Sequence, residues 1–156
     1  MNIPYVEVDA LYWKPGWTEP GDEEFFANLQ EALTGENWVL DGNYNRTQRI
    51  KWQRVEQIVW LNLPMWQITL QLISRTIRRC YTKEELWAGN RESWRKSFLS
   101  RDSVILWSWK NFKTVRDRYF KLAQDPAFGH IDFVILRSRR DAEKFVSSLR
   151  NSSNTA

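Results

Sequence analysis

Four short runs of β-branched and aromatic residues alternate with segments of helical periodicity, and this alternation restricts the folds open to the chain more than any other feature. Pro4 to Asp9 carries Tyr5, Val6 and Val8, and Trp38 to Asp41 is a second run ended by Gly42. Gln57 to Leu63 is nearly continuous through Ile58, Val59, Trp60 and Leu61 and stops at Pro64; His130 to Leu136 is the fourth run. Continuity of that kind is what a parallel strand buried on both faces requires. Between the runs, Asp22 to Leu33 spaces Phe25, Phe26, Leu29 and Leu33 helically, with acids in the first turn where the helix dipole favours them. Pro64 suits a helix start, and Met65, Ile68, Leu72, Ile73 and Ile77 extend a stripe to about Cys80. Ser103 to Ala123 and Asp141 to Leu149 read as further helices. The expected fold is α/β: a three-layer parallel sheet with flanking helices, in one domain over residues 1–150. Residues 81–102, rich in charge and broken by Gly89 and Asn90, read as a mobile, lid-like excursion with a short helix. Residues 151–156 read as a disordered polar tail.

At 156 residues the chain can bury a core without staples. Cys80 is its single cysteine and His130 its single histidine, which excludes a disulfide framework, a zinc cluster and a histidine-based triad. The start lacks the pattern of a signal peptide and no apolar stretch is long enough to span a bilayer, so the expectation is a cytoplasmic protein with no membrane partner. Charge is unevenly placed. Residues 1–45 hold nine acids against one base, Lys14, for −8, while residues 46–156 hold 22 bases against ten acids, for +12. The basic part is suited to an anionic partner, either the phosphates of a nucleotide or those of a nucleic acid.

In an open parallel sheet, ligands bind beyond the carboxyl ends of the strands. Asp9, Tyr12, Trp13 and Lys14 follow the first run, and Asp41-Gly42-Asn43-Tyr44-Asn45-Arg46-Thr47 follows the second. The helix after the third offers Arg75, Arg78 and Arg79 on neighbouring parts of one surface, with Arg91, Arg95 and Lys96 beyond it. Guanidinium forks pair with phosphate oxygens and stabilise charge on a transferring phosphoryl group. Two plainer readings stay open: bases complementing a helix end, and Asp41-Gly42 as a strand-ending turn.

The sequence Val8-Asp9-Ala10-Leu11-Tyr12-Trp13 with Lys14-Pro15-Gly16-Trp17, the Asp41 to Thr47 segment, Trp60-Leu61-Asn62-Leu63-Pro64, the Arg75 to Arg79 helix, Leu86 to Ser93 and Leu136-Arg137-Ser138-Arg139 together resemble the adenylate-kinase-related P-loop proteins often labelled DNA topology modulation protein. The resemblance covers nearly the whole chain. It implies ATP-dependent phosphoryl transfer to a small molecule or nucleotide in full-length relatives, with ATP and Mg²⁺ as cofactors. Under it, Asp9 positions or deprotonates the acceptor, and Asp41, Gly42, Tyr44 and Arg46 bind it. Arg75, Arg79 and Arg91 close on the transferring phosphates, and Arg137, Ser138 and Arg139 border the nucleotide.

The family's Gly-x-x-x-x-Gly-Lys-Ser/Thr segment has no counterpart here; all six glycines are isolated. By resemblance, Met1 falls just before the family's second strand, so the first strand, the phosphate loop and the first helix are expected to be missing. A chain of this kind is expected to be inactive or weakly active, and the gap would favour self-association. The alternative is a nucleic-acid-binding protein using a basic and aromatic surface, since the chain has ten tryptophans. Trp38, Trp60, Trp66 and Trp107 are expected in the core. Trp13, Trp17, Trp87 and Trp94 either stack on a ligand ring or seal the excursion.

Overall fold

Each apolar run becomes a strand in the computed structural model, which describes residues 3–100 and 103–153. The strands are β1 (Tyr5–Glu7), β2 (Val39–Asp41), β3 (Gln57–Leu61) and β4 (Asp132–Leu136). The helices are α1 (Val8–Tyr12), α2 (Asp22–Ala32), α3 (Gln48–Lys51), α4 (Met65–Thr82), α5 (Val104–Leu122) and α6 (Arg139–Ser153). Pairing is parallel, as expected, with Tyr5 opposite Val39 and Glu7 opposite Asp41, and with Gln57 opposite Asp132 and Leu61 opposite Leu136.

The three-layer parallel sheet of a P-loop kinase does not form. The structure is 59% helical and its strands make two separate two-stranded sheets, β1–β2 and β3–β4. A continuous sheet needs its inner strands bonded along both edges. Among the described residues, none of the four strands is bonded to more than one other. Burial agrees with this pairing. Along β3, Ile58 and Trp60 are half-buried while Val59 and Leu61 are 42% and 55% exposed, the alternation of a strand with one covered face. The first run stops at Glu7 because Val8, fully buried, turns into α1.

The chain divides into two compact units. The first comprises Met1–Val55 with Arg79–Glu92. Its core is Val8, Tyr12 and Phe25, against which Leu11, Trp13, Phe26, Leu40 and Tyr44 pack. Helix α2 forms as its pattern requires: Asp22, Glu23 and Glu24 occupy the first turn, and Phe25 and Leu29, four apart, are both buried. The Arg54 guanidinium satisfies carbonyls at its far end, donating to Leu33 O at 2.6 Å and Gly35 O at 2.8 Å.

The second unit comprises Glu56–Arg78 with Ser93–Ala156. Trp60 of β3 stacks on Tyr119 of α5 at 5.3 Å between ring centres and meets Phe120 edge-on at 4.9 Å. Trp60 is thus packed as expected, and Trp38 is half-buried. Trp66 and Trp107 are not core residues, being 65% and 55% exposed. Ser138 caps α6, accepting from Asp141 N at 3.1 Å, while the Asp141 carboxylate accepts from Arg137 N at 3.1 Å. The pair resembles a capping box with aspartate in the third position, its carboxylate reaching one residue further back, to the N–H before the cap. Helix α6 continues past Leu149 to Ser153; residues 154–156 of the expected tail, and 101–102 of the excursion, lie outside the described residues. Among the described residues no helix is long and apolar enough to cross a membrane.

Candidate functional site

Two parallel strands of equal register end side by side, so the residues that follow them meet. Val8 and Asp9 open α1 after β1, and Gly42 to Arg46 follow β2. Gly42 has φ +146°, and a Cβ built there would lie 2.5 Å from Val8 Cβ. Only glycine lets the two strand ends approach this closely. The approach brings the Tyr44 hydroxyl to Asp9, where it donates to Oδ1 at 2.5 Å.

Behind this bond the aromatic rings form one cluster. Tyr12 lies 4.6 Å from Tyr44 and 5.0 Å from Phe25, and Phe25 lies 5.5 Å from Tyr44. The Arg46 guanidinium rests on it, 5.0 Å from the Tyr12 ring and 5.2 Å from the Phe25 ring, and pairs with Asp22 Oδ1 at 2.6 Å. A carboxylate and an arginine therefore border one ring cluster, with Tyr44 and Tyr12 between them. Lys51, buried, donates to Gly42 O at 3.4 Å and Tyr44 O at 3.3 Å, which holds the loop that carries Tyr44.

The segment after α4 is bound to the loop after α1. Asn90 is buried and donates to Lys14 O at 2.8 Å and Trp87 O at 2.9 Å, while its Oδ1 accepts from Trp17 N at 2.9 Å. The Trp17 indole donates to Arg91 O at 3.3 Å and the Trp87 indole to Glu7 Oε2 at 2.7 Å. Trp17 and Trp87 thus seal this segment. Trp13 packs between Tyr12 and Trp17, with centroid distances of 4.9 Å and 5.4 Å.

The expected site residues divide between the two units. Asp9, Asp41, Gly42, Tyr44, Arg46, Arg79 and Arg91 belong to the first; Arg75, Arg137, Ser138 and Arg139 belong to the second. Asp41 accepts from the Tyr5 hydroxyl at 2.9 Å. Arg79 lies over the Trp87 ring and pairs with Glu92 at 3.1 Å and Glu84 at 3.9 Å, and Arg91 pairs with Glu85 at 3.4 Å. Arg75 is exposed on α4. The Arg137 and Ser138 contacts cap α6, and Arg139 pairs with Glu143 one turn on, at 2.9 Å. Tyr12, placed by the sequence with Asp9 at the end of the first run, takes part in the site, and Lys51 and Asn90 complete it without any signal in the sequence.

The donor set does not fit MgATP. The chain has no Gly-Lys-Ser/Thr loop to supply a cradle of N–H groups and a hydroxyl ligand, and Arg79, its side chain only 15% exposed, is held by Glu92 and Glu84. Among the described residues no three His, Cys, Asp or Glu side chains converge as a metal site.

The two tyrosine–aspartate bonds predict an alkaline limit. Burial, then donation to Asp9, holds the Tyr44 hydroxyl well above its ordinary value. Tyr5 is pushed up to about 12, chiefly by donating to Asp41. A raised folded-state pKa means the neutral phenol is favoured on folding, so the contribution is complete below the unfolded value of about 10 and is lost as pH climbs above it. Urea midpoints should therefore fall between pH 10 and pH 12, and Tyr44→Phe should flatten that fall. An equal slope in the variant would contradict the Tyr44–Asp9 bond.

Comparisons of the chain with family models, with curated proteins and with solved structures return no match.

Proposed function

We propose that the first unit is the acceptor-binding half of a phosphotransferase-like site, and that it takes a small phosphomonoester or nucleotide in the cytoplasm. The observation that carries this reading is the placing of Asp9 and Arg46 around one aromatic cluster at the ends of β1 and β2. Asp9 is the carboxylate that accepts from an acceptor hydroxyl, and Tyr44 orients it. Arg46 grips the phosphate.

Its present partner, Asp22, does not stand in the way. The Arg46 and Asp22 side chains are 37% and 60% exposed, and an ion pair open to water contributes only about 0–1 kcal/mol. A phosphate held bidentately by a guanidinium is a charge-assisted interaction of about 1.5–3 kcal/mol, enough to displace the aspartate. The rings beneath Arg46 keep the fork in place during the exchange, which limits the entropy lost on binding.

No step through MgATP is assigned to these residues, and phosphate release from MgATP by this chain is expected at background. Binding is tested by titrating nucleoside monophosphates and sugar phosphates while following tryptophan fluorescence, to which Trp13 contributes beside Tyr12. At least one compound should give saturable quenching, and Arg46→Ala should weaken it by roughly tenfold or more. A panel without saturable quenching, or equal affinity in the variant, would overturn the reading.

A further inference from the structure

We infer that the solvent face of α5 is a docking surface for single-stranded nucleic acid. The face was expected to lie partly in the core, since Trp107 shares helical spacing with Val104 and Val115. Instead Trp107 and Trp109 are each 55% exposed, and the side turned inward carries Ile105, Phe112, Val115 and Tyr119. At 3.6 residues per turn the exposed positions from Arg116 round to Trp107 fill an arc of about 180°, and Val104, also exposed, lies about 60° beyond Trp107. Lys110, Lys113 and Lys121 occupy its middle within about 80°, with Leu106 and Asp117 among them. Trp109 and Arg116 form one border and Trp107 the other.

Charge and ring chemistry together select the partner. Unit two carries 15 bases against seven acids across its segments, for +8. Arg46, Arg79 and Arg91 are each matched by a carboxylate, whereas among the described residues no carboxylate pairs with Lys110, Lys113 or Lys121. A row of lysines tracks a phosphate backbone, and flanking indoles offer faces on which unpaired bases stack. An interfacial membrane helix would set its aromatics opposite its charges. Here the large exposed aromatics border the lysines, Leu106 lies among them, and Ile105, Phe112, Val115 and Tyr119 turn toward the unit itself. The Trp109 indole is further held by donating to Thr69 Oγ1 at 2.9 Å, so that ring is already fixed in place before a base arrives.

The test is fluorescence anisotropy of the full chain with a labelled oligothymidylate over a series of salt concentrations. Saturable binding is expected, steeply weakened by salt. Lys110→Gln with Lys113→Gln should reduce the slope of log affinity against log salt by about 1.4, two phosphate contacts at about 0.7 each. Trp107→Ala should weaken binding roughly tenfold and leave the slope unchanged. Both substitutions are at exposed positions, and far-ultraviolet circular dichroism checks that the helix is retained. Arg46→Ala should have no effect, which separates this surface from the acceptor site. The inference is overturned by absent binding at low salt, by unchanged affinity in both variants, by equal binding of a duplex with no Trp107 dependence, or by capture on phosphatidylserine vesicles in place of the oligonucleotide.

Discussion

Replacing Gly42 with alanine will destabilise the first unit by about 3 kcal/mol or more, through backbone strain and overpacking acting together. The residue sits at φ +146°, a region that side chains rarely adopt, and the new Cβ would fall 2.5 Å from Val8 Cβ and 2.7 Å from Val8 Cγ2. Val8 cannot move aside, because it is fully buried with Tyr12 and Phe25. The strand ends must then separate, and with them Tyr44 and Asp9. Urea unfolding followed by tryptophan fluorescence measures the loss. Gly35→Ala is the control: its nearest atom is a carbonyl oxygen 3.7 Å away, so it should stay within about 0.5 kcal/mol of the parent protein. Equal midpoints for the two variants would show that the close approach of β1 and β2 is not as described.

Phe25→Ala should cost about 3–5 kcal/mol, the range for removing a fully buried ring whose site cannot collapse. Phe25 touches Tyr12, Tyr44 and Phe26 and forms half of the platform under Arg46. The cavity would therefore lie beneath the acceptor site itself. Two readouts should change together: the urea midpoint falls, and phosphomonoester affinity falls in the fraction that remains folded, since Arg46 keeps only the Tyr12 ring. Leu29→Ala provides the contrast. It empties another fully buried position of the same unit, for about 2–5 kcal/mol, but no ring or ion-pair contact joins it to Arg46 among the described residues. Affinity per folded molecule should survive in that variant. If Phe25→Ala and Leu29→Ala affected binding alike, Arg46 would not depend on its aromatic bed.

The strands could be read from composition because Ile58 to Leu61 and Phe133 to Leu136 are short, apolar and rich in β-branched and aromatic residues, and such runs have little alternative. Which strand pairs with which could not. A run records the preference of its own residues, whereas a sheet edge is decided by whatever second strand reaches it. Val59 and Leu61 looked like residues buried on both faces and are in fact the exposed half of a two-stranded sheet. The tryptophans show the same limit. Helical spacing groups Trp107 with Val104 and Val115, but spacing does not say which stripe faces inward.

Within the site, Asp9, Tyr44 and Arg46 were legible because each follows the end of an apolar run. Their partners were not. Tyr44 reaches Asp9 across 35 residues and Asn90 reaches Trp17 across 73, so no local pattern marks either bond. Ser138 and Asp141 show the reverse case. Placed by resemblance, Arg137 to Arg139 border a nucleotide, yet the serine two residues beyond β4 with an aspartate three further on is a capping signal that could have been read directly.

Isothermal titration of a nucleoside monophosphate, set beside inorganic phosphate, into the parent protein, Asp9→Asn and Arg46→Ala tests the joint role of these two residues most directly. Both substitutions should weaken the nucleoside monophosphate by roughly tenfold or more, while inorganic phosphate, which has no sugar hydroxyl to reach Asp9, should respond chiefly to Arg46→Ala. An unchanged nucleoside monophosphate affinity in Asp9→Asn or in Arg46→Ala would contradict a single acceptor site at the ends of β1 and β2.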